Sequence, residues 1–407
     1  MTAGYLSEFF TGVALKTISA VEADTARSRQ HEFNGAQELI RVFGRAAEKR
    51  SFPARFIYLD DGDQHVVEDA SVTWYDARRK HPTRTEHRMY FATTGVSQRA
   101  GEGDLLAIGK RRDGPVLVVI AQGGSTIANQ IRWLFGVPQT AFEGFLVREE
   151  LETERDRIQL ASAWILEQLG IAVERSEESY LGTMLERFGG TFPVTREFSA
   201  YARSTLPQVD ARNDSDGALM AWMEREEILF RTLEKHLLAE RLSQGFAGDT
   251  EGFLQFSLSV LNRRKSRAGL ALENHLEVIF AAHDVHCERA TRTEGNARPD
   301  FLFPGGRNYR DPDFDAGLLT MLGVKSTCKD RWRQVLAEAA RIEPRHLLTL
   351  EVSISRDQTQ QMKQYGVQLV VPRGLQGTYS PNQLSSLMDL RGFIEVVRER
   401  QRRAFGA

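Results

Sequence analysis

The chain has 407 residues, of which 53 are Lys or Arg and 55 are Asp or Glu, so its formal net charge is −2. This length suits two domains, or two domains and a helical connector. The two cysteines lack the paired spacing of a zinc site or a disulfide framework, which favours the reducing cytoplasm. No apolar run approaches the roughly 18–20 residues of a membrane span, and no signal-peptide pattern opens the chain, so we expect a cytosolic protein without a membrane partner.

The first region, residues 1–140, is predicted to be mainly β-structure, in the manner of a small barrel or sandwich. One helix is expected near AQELIRVFG, with Gly44 at its end. The run QGGSTIANQ lacks the lysine of a phosphate-binding loop and predicts a strand-to-helix turn with Ser125 or Thr126 at the N-cap. The predicted strands, each bounded by Gly, Pro or Asp, are FPARFIYLDD, ASVTWYDARR, HRMYFATTG, DLLAIGKRR and GPVLVVIAQG.

The hydrophobic period then changes to 3.6 residues, which predicts amphipathic helices. We interpret residues 141–190 as an acidic helical connector. Residues 191–407 begin with further helices and then alternate strands with helices, an order that predicts an α/β domain with a mixed central sheet. Strands of this sheet are expected in RPDFLFP, LLTMLGVKS, HLLTLEV and VQLVVP.

Residues suited to catalysis concentrate between positions 299 and 338. Asp300 opens the predicted strand FLF, and Lys325 lies inside the otherwise apolar strand MLGVKST. A lysine on such a strand is costly to bury unless a carboxylate pairs with it. Spacing alone favours an ordinary salt bridge between Asp300 and Lys325 over a catalytic pair.

Further carboxylates lie near this pair in the sequence. Glu338 is seven residues beyond Arg331 on a predicted helix, and so shares nearly one face with it. Glu273 and Glu277 are four residues apart on another helix, an arrangement that by itself indicates a solvated surface. Two or three carboxylates with one lysine meet the needs of phosphodiester hydrolysis, because Mg²⁺ prefers oxygen ligands and a lysine can stabilise charge in the transition state.

The runs LNRRKSRAGLALENHLEVIF, TEGNARPDFLFP and LGVKSTCKDRWRQVLAEA closely resemble the catalytic domain of the EcoRII restriction endonuclease family. The resemblance spans about residues 190–400 and implies a PD-(D/E)XK nuclease fold. It implies that Asp300 binds the metal and that Lys325 is the catalytic lysine. Gly323 stands where the common motif has its second acid, and the resemblance assigns that carboxylate to Glu338. Glu273 resembles the acid of the preceding helix, with Glu277 the weaker choice.

The same resemblance implies contacts with DNA. Lys329, Asp330 and Arg331 match the family's element that recognises C·G pairs, and the chemistry agrees, since Lys and Arg donate to guanine and a carboxylate accepts from cytosine. Without the resemblance, a helix start capped by Asp330 is favoured. A basic cluster just before the catalytic helix is expected to contact phosphates rather than to be a solvated loop. It comprises Arg263, Arg264, Lys265 and Arg267.

In the first region, WYDARRKHPTRTEHRMYF resembles an arm of the family's N-terminal effector domain, which is a DNA-binding β-pseudobarrel. A solvated hairpin edge is the plain alternative. A second arm is expected near SRQHEFNGAQ. The candidate DNA contacts are Arg78, Arg79, Lys80, Arg84 and Arg88 on the first arm, and Arg29, His31 and Asn34 on the second.

The resemblance implies a type II, type IIE-like restriction endonuclease that cuts double-stranded DNA with Mg²⁺. The expected enzyme is a homodimer that recognises a short GC-rich near-palindrome such as CCWGG, binds a second, effector site through its N-terminal domain, and works beside a cognate DNA methyltransferase. Two other functions stay open. One is a sequence-specific DNA-binding regulator that has lost cleavage, and the other is a structure-selective repair nuclease, which would need neither the Lys-Asp-Arg element nor a second DNA-binding domain.

Overall fold

The computed structural model divides the chain into two compact units. The N-terminal unit reaches Val173 and includes the later segment Val352–Gln358, and the C-terminal unit holds the residues between them and those from Thr359 onward. This division falls inside the predicted connector, so the three-part scheme of 1–140, 141–190 and 191–407 stays a prediction. The residues that the structure describes are 4–23, 31–33, 36–46, 48–62, 65–81, 83–139, 144–173 and 177–406.

An eight-stranded sheet forms the N-terminal unit. Its strands are β1 (Phe10–Thr17), β2 (Glu32–Phe33), β3 (Arg50–Leu59), β4 (Val66–Asp76), β5 (His87–Phe91), β6 (Leu105–Arg111), β7 (Val116–Ala121) and β8 (Leu146–Arg148). They lie in the order β2-β5-β4-β3-β7-β6-β1-β8, and only β3 and β7 pair in parallel. The five runs predicted as strands correspond to β3 to β7, while closure into a pseudobarrel stays a prediction.

The helices of this unit are short. The helix predicted near AQELIRVFG begins as a 3₁₀ turn and ends at Gly44, whose φ of 74° suits a residue without Cβ. The predicted strand-to-helix turn is also present, because the Ser125 hydroxyl accepts a hydrogen bond from the Ala128 amide at 3.1 Å. The α-helices are α1 (Ala20–Ala23), α2 (Ile40–Phe43), α3 (Thr126–Leu134) and α4 (Leu160–Gln168).

The C-terminal unit opens with a helical layer: α5 (Leu181–Phe188), α6 (Thr195–Ser204), α7 (Ser215–Gln244) and α8 (Thr250–Ala282). The two long helices each begin at an aspartate, Asp214 or Asp249, whose carboxylate accepts an amide hydrogen bond from the first turn. Phe198, Phe230 and Leu233 are buried in the core of this layer. No helix in the described part of the chain is both long and apolar enough to cross a bilayer.

A five-stranded mixed sheet follows, in the order β13-β12-β11-β10-β9. Strands β9 to β11 run antiparallel, whereas β11 to β13 run parallel. The start of β10 therefore lies beside the end of β11, which decides where the site forms. The strands are β9 (Glu288–Arg289), β10 (Phe301–Phe303), β11 (Thr320–Lys325), β12 (Arg345–Thr349) and β13 (Val367–Val370), and the helices are α9 (Gly306–Arg310), α10 (Arg356–Gln364), α11 (Arg373–Gln376), α12 (Pro381–Leu384) and α13 (Leu390–Phe405).

Candidate active site

Asp300 and Lys325 meet where β10 begins and β11 ends. Phe301 pairs with Leu322 across the two strands, so the residue before Phe301 reaches the last residues of β11. One oxygen of Asp300, Oδ2, accepts from the Val324 amide at 2.6 Å and from Lys325 Nζ at 3.0 Å. The side chains remain 21% and 17% exposed, so this ion pair is open to a solvent-borne ligand.

The position of Gly323 explains why the strand carries no second acid. A Cβ added to Gly323 would lie 2.7 Å from Val335 Cγ2 and 3.6 Å from Leu347 Cδ1. Val335 belongs to a 3₁₀ helix, Lys329–Ala337, that packs against β11 at this point. Any side chain at position 323 would push that helix away, so a carboxylate has to reach the site from another element.

Glu338 is the residue that follows this 3₁₀ helix. The prediction of an α-helix with Glu338 on its face was wrong, because the segment has about three residues per turn and ends at Ala337. Glu338 is extended, with φ −97° and ψ 138°, and its carbonyl accepts from Arg345 Nε at 3.0 Å. The end of the helix, rather than its face, thus positions this carboxylate.

The carboxyl group of Glu338 is partly buried and lies within electrostatic reach of the ion pair. Burial, followed by the negative charge of Asp300, raises the pKa of Glu338 to about 7, while Lys325 acts in the opposite direction. Its Oε2 is buried without a hydrogen-bond partner. A buried carboxylate oxygen without a donor is costly, and this cost would be relieved by a cation.

Glu273 supplies a third carboxylate from helix α8. Burial raises its pKa, a hydrogen bond from Arg289 lowers it, and the charges of Asp300 and Lys325 raise and lower it respectively. Glu273 therefore lies within the electrostatic reach of the ion pair. Glu277, the weaker choice, pairs instead with Arg196 and Arg289.

These residues fit a hard divalent cation by the chemistry of their donors. Asp300, Glu338 and Glu273 offer only carboxylate oxygens, the ligands that Mg²⁺ prefers, and Glu338 Oε2 has no competing donor. Within the described ranges, no three His, Cys, Asp or Glu side chains stand close enough to hold a metal as they are.

The basic cluster at residues 263–267 lies inside α8 and is not a loop. The side chain of Arg267 is only 11% exposed, pairs with Glu226 at 2.6 Å, and has its guanidinium 3.8 Å from the centroid of the Phe230 ring, so this arginine is poorly placed for the expected phosphate contact. Arg264 pairs with Glu234 at 2.6 Å, and Arg263 lies over the ring of Phe192. Lys265 is exposed. Phosphate contact by Arg263, Arg264 and Lys265 stays a prediction.

The Lys-Asp-Arg element starts the 3₁₀ helix that ends beside Glu338. Cys328 is at the N-cap, so the alternative in which Asp330 caps the helix is wrong. Arg331 is exposed. The side chains of Lys329 and Asp330 lie outside the description, and base recognition by the three residues stays a prediction.

The basic arm of the N-terminal unit lies beside an open cavity of about 570 Å³. Arg78 pairs with Glu86, and Arg88 pairs with both Glu86 and Glu32. Arg79, Lys80 and Arg84 are exposed, so they are the better placed of the predicted DNA contacts. On the second arm, His31 packs its ring edge against Tyr90 and Phe91, and Arg29 and Asn34 lie outside the described residues.

The segment that carries this site is similar to known proteins. Residues 230–394 match the family model described as EcoRII C terminal. This region is similar to the C-terminal domain of the EcoRII restriction endonucleases. Over 226 residues, or 55% of its length, the chain is 38% identical to the type II restriction enzyme EcoRII of Escherichia coli, and it spans 55% of that relative. The matched EcoRII region contains Glu273, Asp300, Lys325 and Glu338.

The match supports the expected family over residues 230–394, and the predicted α/β domain with a mixed central sheet is confirmed. The PD-(D/E)XK nuclease fold remains what this resemblance implies. Two solved structures are also similar. Metal-depleted Ecl18kI in complex with uncleaved, modified DNA has a TM-score of 0.45 and 17% identity, covering 56% of this chain and 86% of that one. The PspGI–substrate DNA complex has a TM-score of 0.45 and 14% identity, covering 52% and 94%.

Two residues that matter to the site were not predicted from the sequence. Arg289 contacts Glu273, and Val335 fills the space beside Gly323. Arg289 lies in a two-residue edge strand without a hydrophobic pattern, so no sequence signal marks it. For Val335, the one signal is indirect, because a glycine where the common motif has an acid indicates that another group occupies the space.

Proposed function

We propose that this protein is a type II restriction endonuclease that cuts both strands of DNA with a divalent metal ion, Mg²⁺. The observation that carries the proposal is Asp300 Oδ2 held between the Val324 amide and Lys325 Nζ, with the partnerless Glu338 oxygen in the same electrostatic field. This arrangement stands in the region that matches EcoRII.

Asp300, Glu338 and Glu273 would hold the metal ion. When bound, Mg²⁺ lowers the pKa of a coordinated water and offsets charge on the phosphate oxygens. Lys325 is anchored to Asp300, which keeps its ammonium group at the site, where it can orient the attacking water or donate to a phosphate oxygen as negative charge develops. Burial, and then the negative charge of Asp300, raise the pKa of Glu338 to about 7, and a nearby cation would favour its charged form.

The substrate we propose is a short GC-rich near-palindrome of the CCWGG type. Two arguments support it: the identity to EcoRII across this region, and the exposed Arg331 at the start of the helix that ends at the site. Arg and Lys donate to guanine in the major groove, and an acidic side chain accepts from cytosine. A near-palindromic site is matched by two copies related by a two-fold axis, so we propose a homodimer.

We infer that the N-terminal unit binds a second, effector copy of the DNA site. The support is its exposed basic arm, Arg79, Lys80 and Arg84, beside the open cavity. Such side chains bind the phosphate backbone and lose affinity as salt increases. We further propose that the enzyme acts in the cytoplasm beside a cognate DNA methyltransferase, since uncontrolled cleavage at a short site would destroy the host genome.

The test is cleavage of plasmid DNA by the full chain with Mg²⁺, followed by sequencing of the ends. We expect double-strand cuts at one short sequence and none in EDTA. Cuts without sequence preference would favour a repair nuclease. Specific binding without cuts, at several salt concentrations and site densities, would favour a regulator.

A variant of the proposed catalytic lysine separates binding from chemistry. Lys325→Ala should bind the site in a gel-shift assay with near wild-type affinity and lose cleavage, because Asp300 keeps its hydrogen bond from the Val324 amide. Lys363→Ala is the matched control, since that lysine is exposed on α10 and has no proposed role. If Lys325→Ala cuts at the wild-type rate, the assigned role is wrong.

A further inference from the structure

Arg289 on the edge strand β9 reaches three side chains of helix α8. One guanidinium nitrogen, Nη2, donates to Glu273 Oε2 at 2.6 Å, and the other, Nη1, donates to Asn274 Oδ1 at 2.9 Å and to Glu277 Oε2 at 3.1 Å. The Arg289 side chain is 18% exposed, and the Glu273 side chain 20%. These hydrogen bonds are charge-assisted and partly shielded from water, which makes them stronger than surface pairs.

The backbone of Arg289 is fastened to the strand that follows Asp300. Arg289 pairs with Phe301 in the sheet, and the amide of Ala290 donates to the Asp300 carbonyl at 3.2 Å. The guanidinium also lies 5.6 Å from the centroid of the Phe301 ring. Arg289 therefore joins the carboxylate of Glu273 to the same piece of sheet that carries Asp300.

Asn274 restricts the guanidinium from the other side. Its amide nitrogen donates to Ser199 Oγ at 3.1 Å, while Ser199 itself donates to the Thr195 carbonyl at 2.9 Å. Because the serine proton is already used, Ser199 can only accept from Asn274, and the Asn274 oxygen must face Arg289. The position of the guanidinium is thus determined by the core of the helical layer.

This geometry has a consequence for Glu273. Arg289 takes one carboxylate oxygen, Oε2, and leaves Oε1 for a second partner. Without the arginine, three carboxylates would share the site with Lys325 alone, and the Glu273 side chain would be free to turn away from the others. Groups that orient a metal ligand in this manner typically change metal affinity 10- to 100-fold when they are replaced.

We propose that Arg289 is the positioning residue that holds Glu273 for the metal ion. The proposal rests on the function proposed above, because it requires that Glu273 be a metal ligand. In this role Arg289 would act through Glu273 and would not itself be a ligand of the metal. It sets the direction of one ligand and offsets one of the site's negative charges.

The experiment measures Mn²⁺ binding directly, by electron paramagnetic resonance on the full chain in the absence of DNA. Arg289→Lys should weaken Mn²⁺ binding about 10-fold, since lysine keeps the charge but cannot serve three acceptors in one plane. The Mg²⁺ concentration for half-maximal cleavage should rise in parallel, and saturating Mg²⁺ should restore most of the rate. A merely structural role would lower Tm without this rescue by metal.

Glu277→Gln is the matched control, because it removes a charge that contacts Arg289 and leaves the contact with Glu273 intact. It should bind Mn²⁺ within about 2-fold of wild type, well inside the effect expected for a ligand's orienting partner. Each variant is measured at least about 15 °C below its own Tm, so that a loss of folded protein does not mimic a loss of affinity.

A double variant tests whether Arg289 acts through Glu273. Once Glu273→Gln has removed the ligand, Arg289→Lys should have no further effect on Mn²⁺ affinity, whereas independent effects would multiply. Wild-type Mn²⁺ affinity in Arg289→Lys, or multiplying effects in the double variant, would overturn the inference. Asp300→Asn separates this failure from a wider one: if it also binds Mn²⁺ normally, the proposed metal centre itself is wrong.

Discussion

A Cβ atom at Gly323 would lie 2.7 Å from Val335 Cγ2, so the residue that breaks the common nuclease motif is the one that lets the 3₁₀ helix approach β11. That helix ends at Ala337, directly before Glu338, the residue proposed to supply the missing acid. The same packing contact therefore requires glycine at position 323 and brings the helix that precedes Glu338 against β11.

Gly323→Ala should disturb both stability and activity. The added methyl group overpacks the contact with Val335, which typically costs about 1–3 kcal/mol, and it shifts the helix that leads to Glu338. Urea unfolding and the cleavage rate measure the two effects. Val335→Ala in the same chain should recover part of the stability, and an alanine at position 323 that leaves both quantities unchanged would contradict the packing argument.

Glu338→Gln should abolish cleavage with little effect on folding. The substitution keeps the shape of the side chain and removes the charge that would hold the cation, so we expect a loss of more than about 100-fold, the upper limit for residues that only orient a ligand. Glu343→Gln is the control, because the side chain of Glu343 is 81% exposed. The measurement is the cleavage rate of each variant at saturating Mg²⁺. Equal losses of rate in the two variants would contradict the proposed role of Glu338 in metal binding.

Arg267→Met should destabilise the C-terminal unit rather than weaken DNA binding directly. Removing the guanidinium leaves Glu226 buried beside His275 and Ser199 without its arginine partner, and breaking a buried ion pair costs about 3–5 kcal/mol. Urea unfolding measures this loss. Lys265→Met should behave in the opposite way, with normal unfolding and a smaller dependence of DNA affinity on salt. A stable Arg267→Met protein with weakened DNA binding would favour the phosphate-contact prediction for Arg267.

His346 should make the stability of the C-terminal unit depend on pH. Burial, and then the positive charge of Arg400, lower the pKa of His346 from 6.5 to about 4, against a hydrogen bond to the Met321 backbone. Between pH 6.5 and 4 the His346 imidazole is protonated in the unfolded chain but stays neutral in the folded chain. The free energy of unfolding therefore falls as the pH falls, by at most about 1.4 kcal/mol per pH unit. Replacing His346 should therefore remove its contribution to the pH dependence of the unfolding free energy.

The comparison of His346→Gln with wild type measures this contribution. Unfolding free energies at several pH values from 4 to 7 should show a shallower slope in the variant, whereas the slopes should agree above pH 7, where the histidine is neutral in both states. Parallel curves over the whole range would mean that His346 keeps an ordinary pKa in the folded protein.

Much of the fold followed from local patterns. Alternating apolar residues bounded by Gly, Pro or Asp predicted β3 to β7, because each strand's burial shows in its own sequence. The Ser125 cap and the stop at Gly44 were equally local. In contrast, the segment after Lys325 has helical periodicity but forms a 3₁₀ helix, since its packing against β11 outweighs its own preference.

The site divides in the same way. The candidate chemistry of the site could be read from residue types and spacing: an aspartate that opens one strand, a lysine inside the next, and acids on the flanking segments. The partners of the arginines could not, because they depend on how distant elements pack. Nothing in the sequence distinguishes Arg267 from Arg289, yet Arg267 pairs with Glu226 in the helical layer and Arg289 pairs with Glu273 at the candidate site. A charge's function depends on which opposite charge lies within a few ångströms, and that distance is set by residues far away in the chain.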